Sequence, residues 1–330
     1  MSMNSESLRK PGSPALSQFG ATARNILQNQ GILIVFVLLC VVLTLSSEFF
    51  LTWNNWTNII RQTAINGILA IGVTYVILAG GIDLSVGSVM ALCGAVAASF
   101  SVTPDHSFIG VALLASLATG FVAGLVNGAL TAYLRIPAFV VTLGMLSAAR
   151  GLTFIYTDGR PISNLSQPFL WFGNGAVLGI PVPIVALAVV FAVCWFVLRY
   201  TVFGRHVYAV GGNERAAITN GVRTRRVTAL TYIVSGVLAS LAGVILTARS
   251  TAALPQAGIA YELDAIAAVV IGGTSLSGGK GTLIGTVFGA LIIGTINNGL
   301  DLLGISSYYQ QVVKGLIIVG AVLLDVGRRR

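Results

Sequence analysis

The sequence predicts an all-α fold, a polytopic bundle of about ten transmembrane helices with both termini in the cytoplasm. Three observations carry this prediction. Of 330 residues, 55% are hydrophobic and only 9% are charged; the mean hydropathy is +0.89, which is more apolar surface than one water-soluble core can enclose. The apolar residues gather in runs long enough to cross a bilayer as helix. The basic residues, which give a net charge of +9, lie in the gaps between those runs. There they read as topology determinants and not as a nucleic-acid surface.

Residues 1–30 are polar, rich in Ser, Asn and Gln, and carry Arg9, Lys10 and Arg24 with almost no apolar periodicity. They predict a cytoplasmic tail. The first apolar run, Gly31 to Leu45, spans roughly 22 Å as a helix. A cleaved signal peptide is its rival, but the preceding basic region is unusually long and Thr44-Leu45-Ser46 matches a cleavage site poorly, so an uncleaved span is the better reading. Further runs follow at about Ala64 to Ala79, Val86 to Val102, Phe108 to Leu134, Pro137 to Tyr156, Ile180 to Leu198, Val227 to Ala248, Leu263 to Gly273, Thr282 to Leu300 and Tyr308 to Leu324.

With the N-terminus inside, the inner segments collect fourteen basic residues, from Arg9 through Arg328, Arg329 and Arg330, and the outer segments hold only Arg61, Arg150, Arg160 and Arg249. That bias supports the orientation. Lys314 is left within the last run. The run at 263–273 covers only about 16 Å as a helix and starts beside Glu262 and Asp264. Were it to re-enter instead of crossing, the basic C-terminus would land outside; a short crossing buried among other helices agrees better with the charge rule. The chain thus divides into the tail 1–30, a transmembrane domain 31–326 with one long inner loop at 199–226, and a basic cytoplasmic end at 327–330.

Gly80-Gly81-Ile82-Asp83-Leu84-Ser85-Val86-Gly87 and Gly272-Gly273-Thr274-Ser275-Leu276-Ser277-Gly278-Gly279 share the skeleton Gly-Gly-x-x-Leu-Ser-x-Gly, 192 residues apart. Five fixed positions predict an internal repeat even among 39 glycines. Under the predicted topology each copy follows an inward-going span, so the repeat is parallel, with short or broken helices at the paired glycine interruptions. Two glycine ladders, Gly120, Gly124 and Gly128, and Gly281, Gly285 and Gly289, place small residues on one helix face and predict close helix packing. Cys40, Cys93 and Cys194 lie inside apolar runs without metal spacing and read as packing residues.

The inner loop 199–226 contains Asn213-Glu214-Arg215-Ala216-Ala217 and, further on, Gly221. This is the pattern of a short helix, with Asn213 as N-cap, Glu214 near the positive end and Gly221 near the stop. Asp83, Glu262 and Asp264 stand at span boundaries, where capping a broken helix and lining a pathway are both open to a carboxylate. Ser85 lies in the first repeat copy. Asn127, Asn297 and Asn298, with Asn66, are uncharged polar groups in or near spans, suited either to interhelical hydrogen bonds or to a hydroxylated solute. Gly279-Lys280-Gly281-Thr282 looks like the end of a phosphate loop but lacks its first glycine and the Ser or Thr after lysine. His106 and His206 fall on opposite sides of the membrane and offer no catalytic pair.

Gly80 to Met90, Val210 to Ala217 and Tyr261 to Thr274, continued by Gly278 to Thr282 and Asn297-Asn298-Gly299-Leu300, resemble the membrane permease subunits of ribose-type bacterial ABC importers. The resemblance covers about Phe49 to Asp325. It implies a non-catalytic subunit in the inner membrane, paired with a second permease copy and a cytoplasmic ATPase that holds the ATP and Mg, with no cofactor in this chain. It also implies an extracytoplasmic sugar-binding protein and a coupling helix at Glu214 to Gly221 that docks into the ATPase. A strict Glu-Ala-Ala is absent, since Arg215 intervenes. From the residues alone, an ion-coupled secondary transporter using Asp83 or Asp264 is the alternative, although neither carboxylate is placed mid-span.

Overall fold

The computed structural model describes residues 33–102 and 108–327. The readings of the tail 1–30, of His106 and of Arg328 to Arg330 lie outside the described residues. The helices, in chain order, are α1 (Leu33–Ser46), α2 (Trp53–Leu78), α3 (Val86–Ser99), α4 (Ile109–Ala132), α5 (Ala138–Thr157), α6 (Gln167–Asn174), α7 (Val182–Tyr200), α8 (Val202–Gly212), α9 (Glu214–Thr219), α10 (Thr224–Arg249), α11 (Tyr261–Ile271), α12 (Leu283–Leu302) and α13 (Ser307–Gly327). Between α6 and α7 lies one antiparallel hairpin of two short strands, β1 (Ala176–Val177) and β2 (Ile180–Pro181).

Local chemistry starts and stops these helices. The hydroxyls of Thr52, Thr201 and Thr282 each accept from a backbone amide in the first turn of α2, α8 and α12, which satisfies one of the orphan donors there. Pro137 and Pro181 stand just before α5 and α7, where a fixed φ and a missing amide cost nothing. Among the described residues, α2, α4, α5, α7, α10 and α12 are long and apolar enough to cross a membrane, while α1 and α3 are shorter apolar helices. This is a helical membrane protein.

The bundle has an inner and an outer layer. α10 packs against α4, α3 and α2, and α2 in turn packs against α12, α11 and α7. α2, α10 and α12 are mostly buried, and α4, α5 and α7 turn most of their apolar surface outward. Both glycine ladders pack closely, but Gly281 lies in the loop before α12, so only Gly285 and Gly289 of the second ladder share a helix face. An added Cβ at Gly120, Gly124 or Gly128 would run into the α10 backbone at Gly236, Tyr232 and Ala229, and one at Gly285 or Gly289 into α11 at Gly272 and Ala268.

Several sequence readings need correction. α2 begins at Trp53 and not near Ala64, because its first half, with Asn55, Asn58, Arg61 and Gln62, is too polar to score as an apolar run yet is held in the bundle. Arg61 is therefore a helical residue and not part of an outer loop, and Arg150 lies within α5, where it donates to the carbonyls of Pro255 (3.0 Å) and Ala257 (2.7 Å). The inner segment 199–226 is no open loop; α8, α9 and the first turn of α10 occupy most of it. α6 and the hairpin were not read from the sequence at all.

The two repeat copies do end their helices alike. After α2, Gly80 N–H donates to Ile77 O and Gly81 N–H to Val76 O; after α11, Gly273 N–H donates to Val270 O and Thr274 N–H to Val269 O. Gly80 and Gly273 both have φ of +84°, a left-handed conformation that only glycine adopts cheaply. The structural register is thus 193 residues, one more than the motif alignment, and pairs Gly80 with Gly273. The two turns also touch: Gly279 N–H donates to Leu78 O at 2.9 Å, and Gly278 lies against Gly80 and against Gly211 at the end of α8.

The ladder predicts a measurable asymmetry among glycines. Gly124→Ala forces the α4 and α10 backbones apart and is expected to cost about 1–3 kcal/mol, read as a lower unfolding temperature in detergent. Gly144→Ala on α5, where an added Cβ meets nothing within 4 Å, leaves that temperature unchanged or slightly raised.

Candidate functional site

The singled-out polar residues fall into four places. In the first, the α2–α3 loop turns Asp83 inward, where it is buried. Its Oδ1 accepts from Ser85 N–H (3.0 Å) and Ser85 Oγ (2.6 Å), and its Oδ2 accepts from Ser235 Oγ on α10 (2.8 Å). Asn127 on α4 donates to Ser85 Oγ at 2.9 Å. Asp83, Ser85 and Asn127 therefore form one network, completed by Ser235, which the sequence reading missed because a lone serine in an apolar span carries no pattern. With three donors on it, the carboxylate locks the loop onto α4 and α10.

The second place joins four helices. Asp264 on α11 accepts from Lys314 Nζ on α13 at 2.8 Å and from Asn297 Nδ2 on α12 at 3.3 Å, both through Oδ2. Lys314, which the sequence left stranded in an apolar run, is the half-buried partner of the buried Asp264 in an ion pair. A pocket of about 80 Å³ opens beside the pair and is bounded on the α2 side by Gln62 and Asn66. In the third place, Asn298 on α12 and Asn55 on α2 exchange amide hydrogen bonds, 3.0 Å and 2.7 Å, an interhelical clasp.

The fourth place is a surface. α9 is capped by Asn213, whose Oδ1 accepts from Ala216 N–H at 3.0 Å. It stops at Gly221, φ +79°, which donates to Ile218 O. Ala217 is buried and roots the helix, whereas Asn213, Glu214, Arg215 and Ala216 are exposed. Beside them opens a groove of about 1130 Å³ whose walls carry Arg135, Arg215, Arg223, Arg225 and Arg226 together with Glu214.

α9 is tied to the repeat loops through α8. Gly211 sits so close to Leu78 O and Gly279 N that a side chain there is excluded, and Tyr208 donates its hydroxyl to Gly281 O at 2.9 Å. Burial pushes the Tyr208 phenol above its usual range, opposed by the nearby Arg199, so it remains a neutral donor. The phosphate-loop lookalike spends its groups within the fold: Gly279 N–H bonds Leu78 O and Thr282 Oγ caps α12.

The family model described as "Branched-chain amino acid transport system / permease component" matches residues 55–322. The chain is 48% identical to the ribose import permease protein of Escherichia coli (strain K12), over 91% of this chain and 94% of that one. It is 47% identical to the ribose import permease protein of Bacillus subtilis (strain 168), over 91% and 93%. With the D-allose transport system permease protein of Escherichia coli (strain K12) it shares 40% over 88% and 89%. No solved structure gives a significant match. The chain belongs to this permease family.

Membership accounts for the outer layer of apolar helices, since a permease is a multi-pass protein of the inner membrane and meets lipid on its outer faces. It also separates the polar places by kind. The Asp83 carboxylate, with three donors on it, and the Asn55–Asn298 clasp, with both amides exchanged, hold helices together. The Asp264 pocket and the α9 groove have free surface with which a permease could meet something else.

Asp83→Ala tests the first assignment. It orphans Ser85 N–H and Ser235 Oγ and is expected to destabilise the folded permease by about 1–3 kcal/mol, with a lower melting temperature in detergent and less protein in the membrane. Ser235→Ala, which removes one donor of three, costs less, about 1 kcal/mol.

Proposed function

We propose that the chain is the translocation-pathway subunit of an ATP-driven importer for a monosaccharide such as ribose. The observation that carries this reading is the near full-length likeness to permeases named for ribose and allose, together with 36% identity over the whole chain to the L-arabinose ABC transporter permease protein of Azospirillum brasilense. In this reading the chain is not an enzyme. A cytoplasmic ATPase subunit binds ATP and Mg, a second permease copy completes the pathway, and an extracytoplasmic binding protein delivers the sugar. The chain crosses the membrane about ten times, with α1, α3, α11 and α13 added to the six long spans and both termini in the cytoplasm.

α9 is the coupling helix, presenting Asn213, Glu214, Arg215 and Ala216 to the ATPase, with Ala217 and Gly221 setting its seat and its end. Motion of α9 passes through Gly211 and Tyr208 to the α2–α3 and α11–α12 turns, so both halves of the repeat shift together and exchange outward for inward access. The ion-coupled alternative is weakened by the carboxylates themselves: Asp83 is saturated and Asp264 is neutralised by Lys314.

Two measurements test this. A tagged chain purified gently from its native membrane is expected to bring an ATPase subunit in fixed proportion; a chain that emerges alone and moves solute on an ion gradient overturns the reading. Glu214→Lys reverses the charge at the exposed start of α9 and is expected to lower ATP-dependent uptake of D-ribose, D-allose or L-arabinose at least tenfold with the protein still inserted. Unchanged uptake removes α9 from the coupling role.

A further inference from the structure

Beside the Asp264–Lys314 pair, three buried oxygens have no hydrogen-bond partner: Asp264 Oδ1, Asn66 Oδ1 and Asn297 Oδ1. Their residues are 5%, 5% and 6% exposed, and all three line the pocket of about 80 Å³. Leaving such acceptors dry is costly, so the pocket is built for something that donates hydrogen bonds. Its other walls include Gln62, the ring of Tyr261 and the Lys314 ammonium, which offer amide donors, an aromatic face and a charge-assisted donor.

The chemistry narrows the occupant. The Asp264–Lys314 pair is neutral as a unit. A second cation would lie against the Lys314 ammonium, and an anion would meet a carboxylate and two carbonyl oxygens; neither is favoured. A neutral molecule carrying several hydroxyls both donates to the three acceptors and accepts from Lys314 and Gln62. At roughly 30 Å³ per water-sized group, the pocket accommodates two or three hydroxyls, one edge of a sugar ring, with the rest of the ring in its open mouth.

Position agrees with this chemistry. Asn66 lies twelve residues before the end of α2 at Leu78, about 18 Å along the helix axis and so near mid-depth of a hydrocarbon core about 30 Å thick. α11, only eleven residues long, begins at Tyr261 and carries Asp264 in its first turn. A broken helix starting at mid-depth between repeat halves is where transporter substrate sites are built.

We infer that the pocket formed by Asn66, Tyr261, Asp264, Asn297 and Lys314 is a binding subsite for vicinal hydroxyls of a neutral sugar on its way through the permease. The inference rests on the importer reading given above and adds the side chains that touch the solute. Lys314 and Asp264 hold each other at the right spacing, and Asn66 and Asn297 read the hydroxyls.

The test uses the intact importer reconstituted in proteoliposomes, with D-ribose as the probe. Wild-type uptake on ATP checks the importer reading by itself; if wild type moves no sugar with ATP, that reading fails first. Given wild-type uptake, Asn66→Leu is expected to lower it at least tenfold, with Gly144→Ala as the control that retains it. A second arm keeps the inference falsifiable if Asn66→Leu inserts poorly. In a background of Cys40→Ser, Cys93→Ala and Cys194→Ala that still transports, Asn66→Cys is reacted with a small methanethiosulfonate reagent. D-ribose in millimolar excess is expected to slow labelling at least threefold, while glycine betaine at equal osmolarity does not. Equal labelling rates with and without sugar mean that the pocket holds only water, and they overturn the inference, as does wild-type uptake by Asn66→Leu.

Discussion

The whole bundle turns on a backbone contact: Gly279 N–H to Leu78 O at 2.9 Å, with Gly211 wedged beside it and Gly278 against Gly80. Three chain segments distant in sequence come within backbone distance there because none has a side chain at the point of contact. The end of α2, the turn between α11 and α12 and the junction between α8 and α9 are thereby in direct contact. A side chain at Gly211 would occupy the space of the Leu78 carbonyl, so the contact exists only as long as the glycines do.

From that junction the rest of the architecture follows by membrane physics. Without water to satisfy them, polar side chains inside the bundle must find each other. Asp83 is enclosed by Ser85 and Ser235, Asn55 by Asn298, and Thr74 by Thr286 at 2.9 Å. Each pair fastens helices that lie next to one another, and the glycine faces of α4 and α12 let backbones approach where dispersion and close packing replace the hydrophobic effect. The pocket beside Asp264 stands out because three acceptors without a partner, Asp264 Oδ1, Asn66 Oδ1 and Asn297 Oδ1, converge on one cavity.

The same contrast bears on coupling. α9 is a helix of six residues, too short to be stable alone, yet it is held by the Asn213 cap, by buried Ala217 and by the packing of α8 behind it. In the coupling role proposed for α9, a helix so supported transmits displacement instead of melting when pushed. Its exposed Glu214 and the arginines of the adjoining groove give that face a mixed charge pattern, the kind of surface that fixes the register of a docked partner more than its affinity.

Composition and periodicity by themselves determined the membrane class, the centres of the apolar helices, the capped helix from Glu214, the role of the glycine ladders and the existence of paired glycine turns. Those features are local: they depend on residues a few positions apart, and their chemistry is written in consecutive letters. The sequence could not show that α2 extends back to Trp53, because polar residues such as Asn55 lower the apolar score and are tolerated only through a partner 243 residues away. Nor could it pair Lys314 with Asp264, join Ser235 to Asp83, or set the repeat register at 193. Tertiary structure decided those, since burial makes an unpaired charge or amide too costly to leave alone and only the packed bundle shows which distant group answers it.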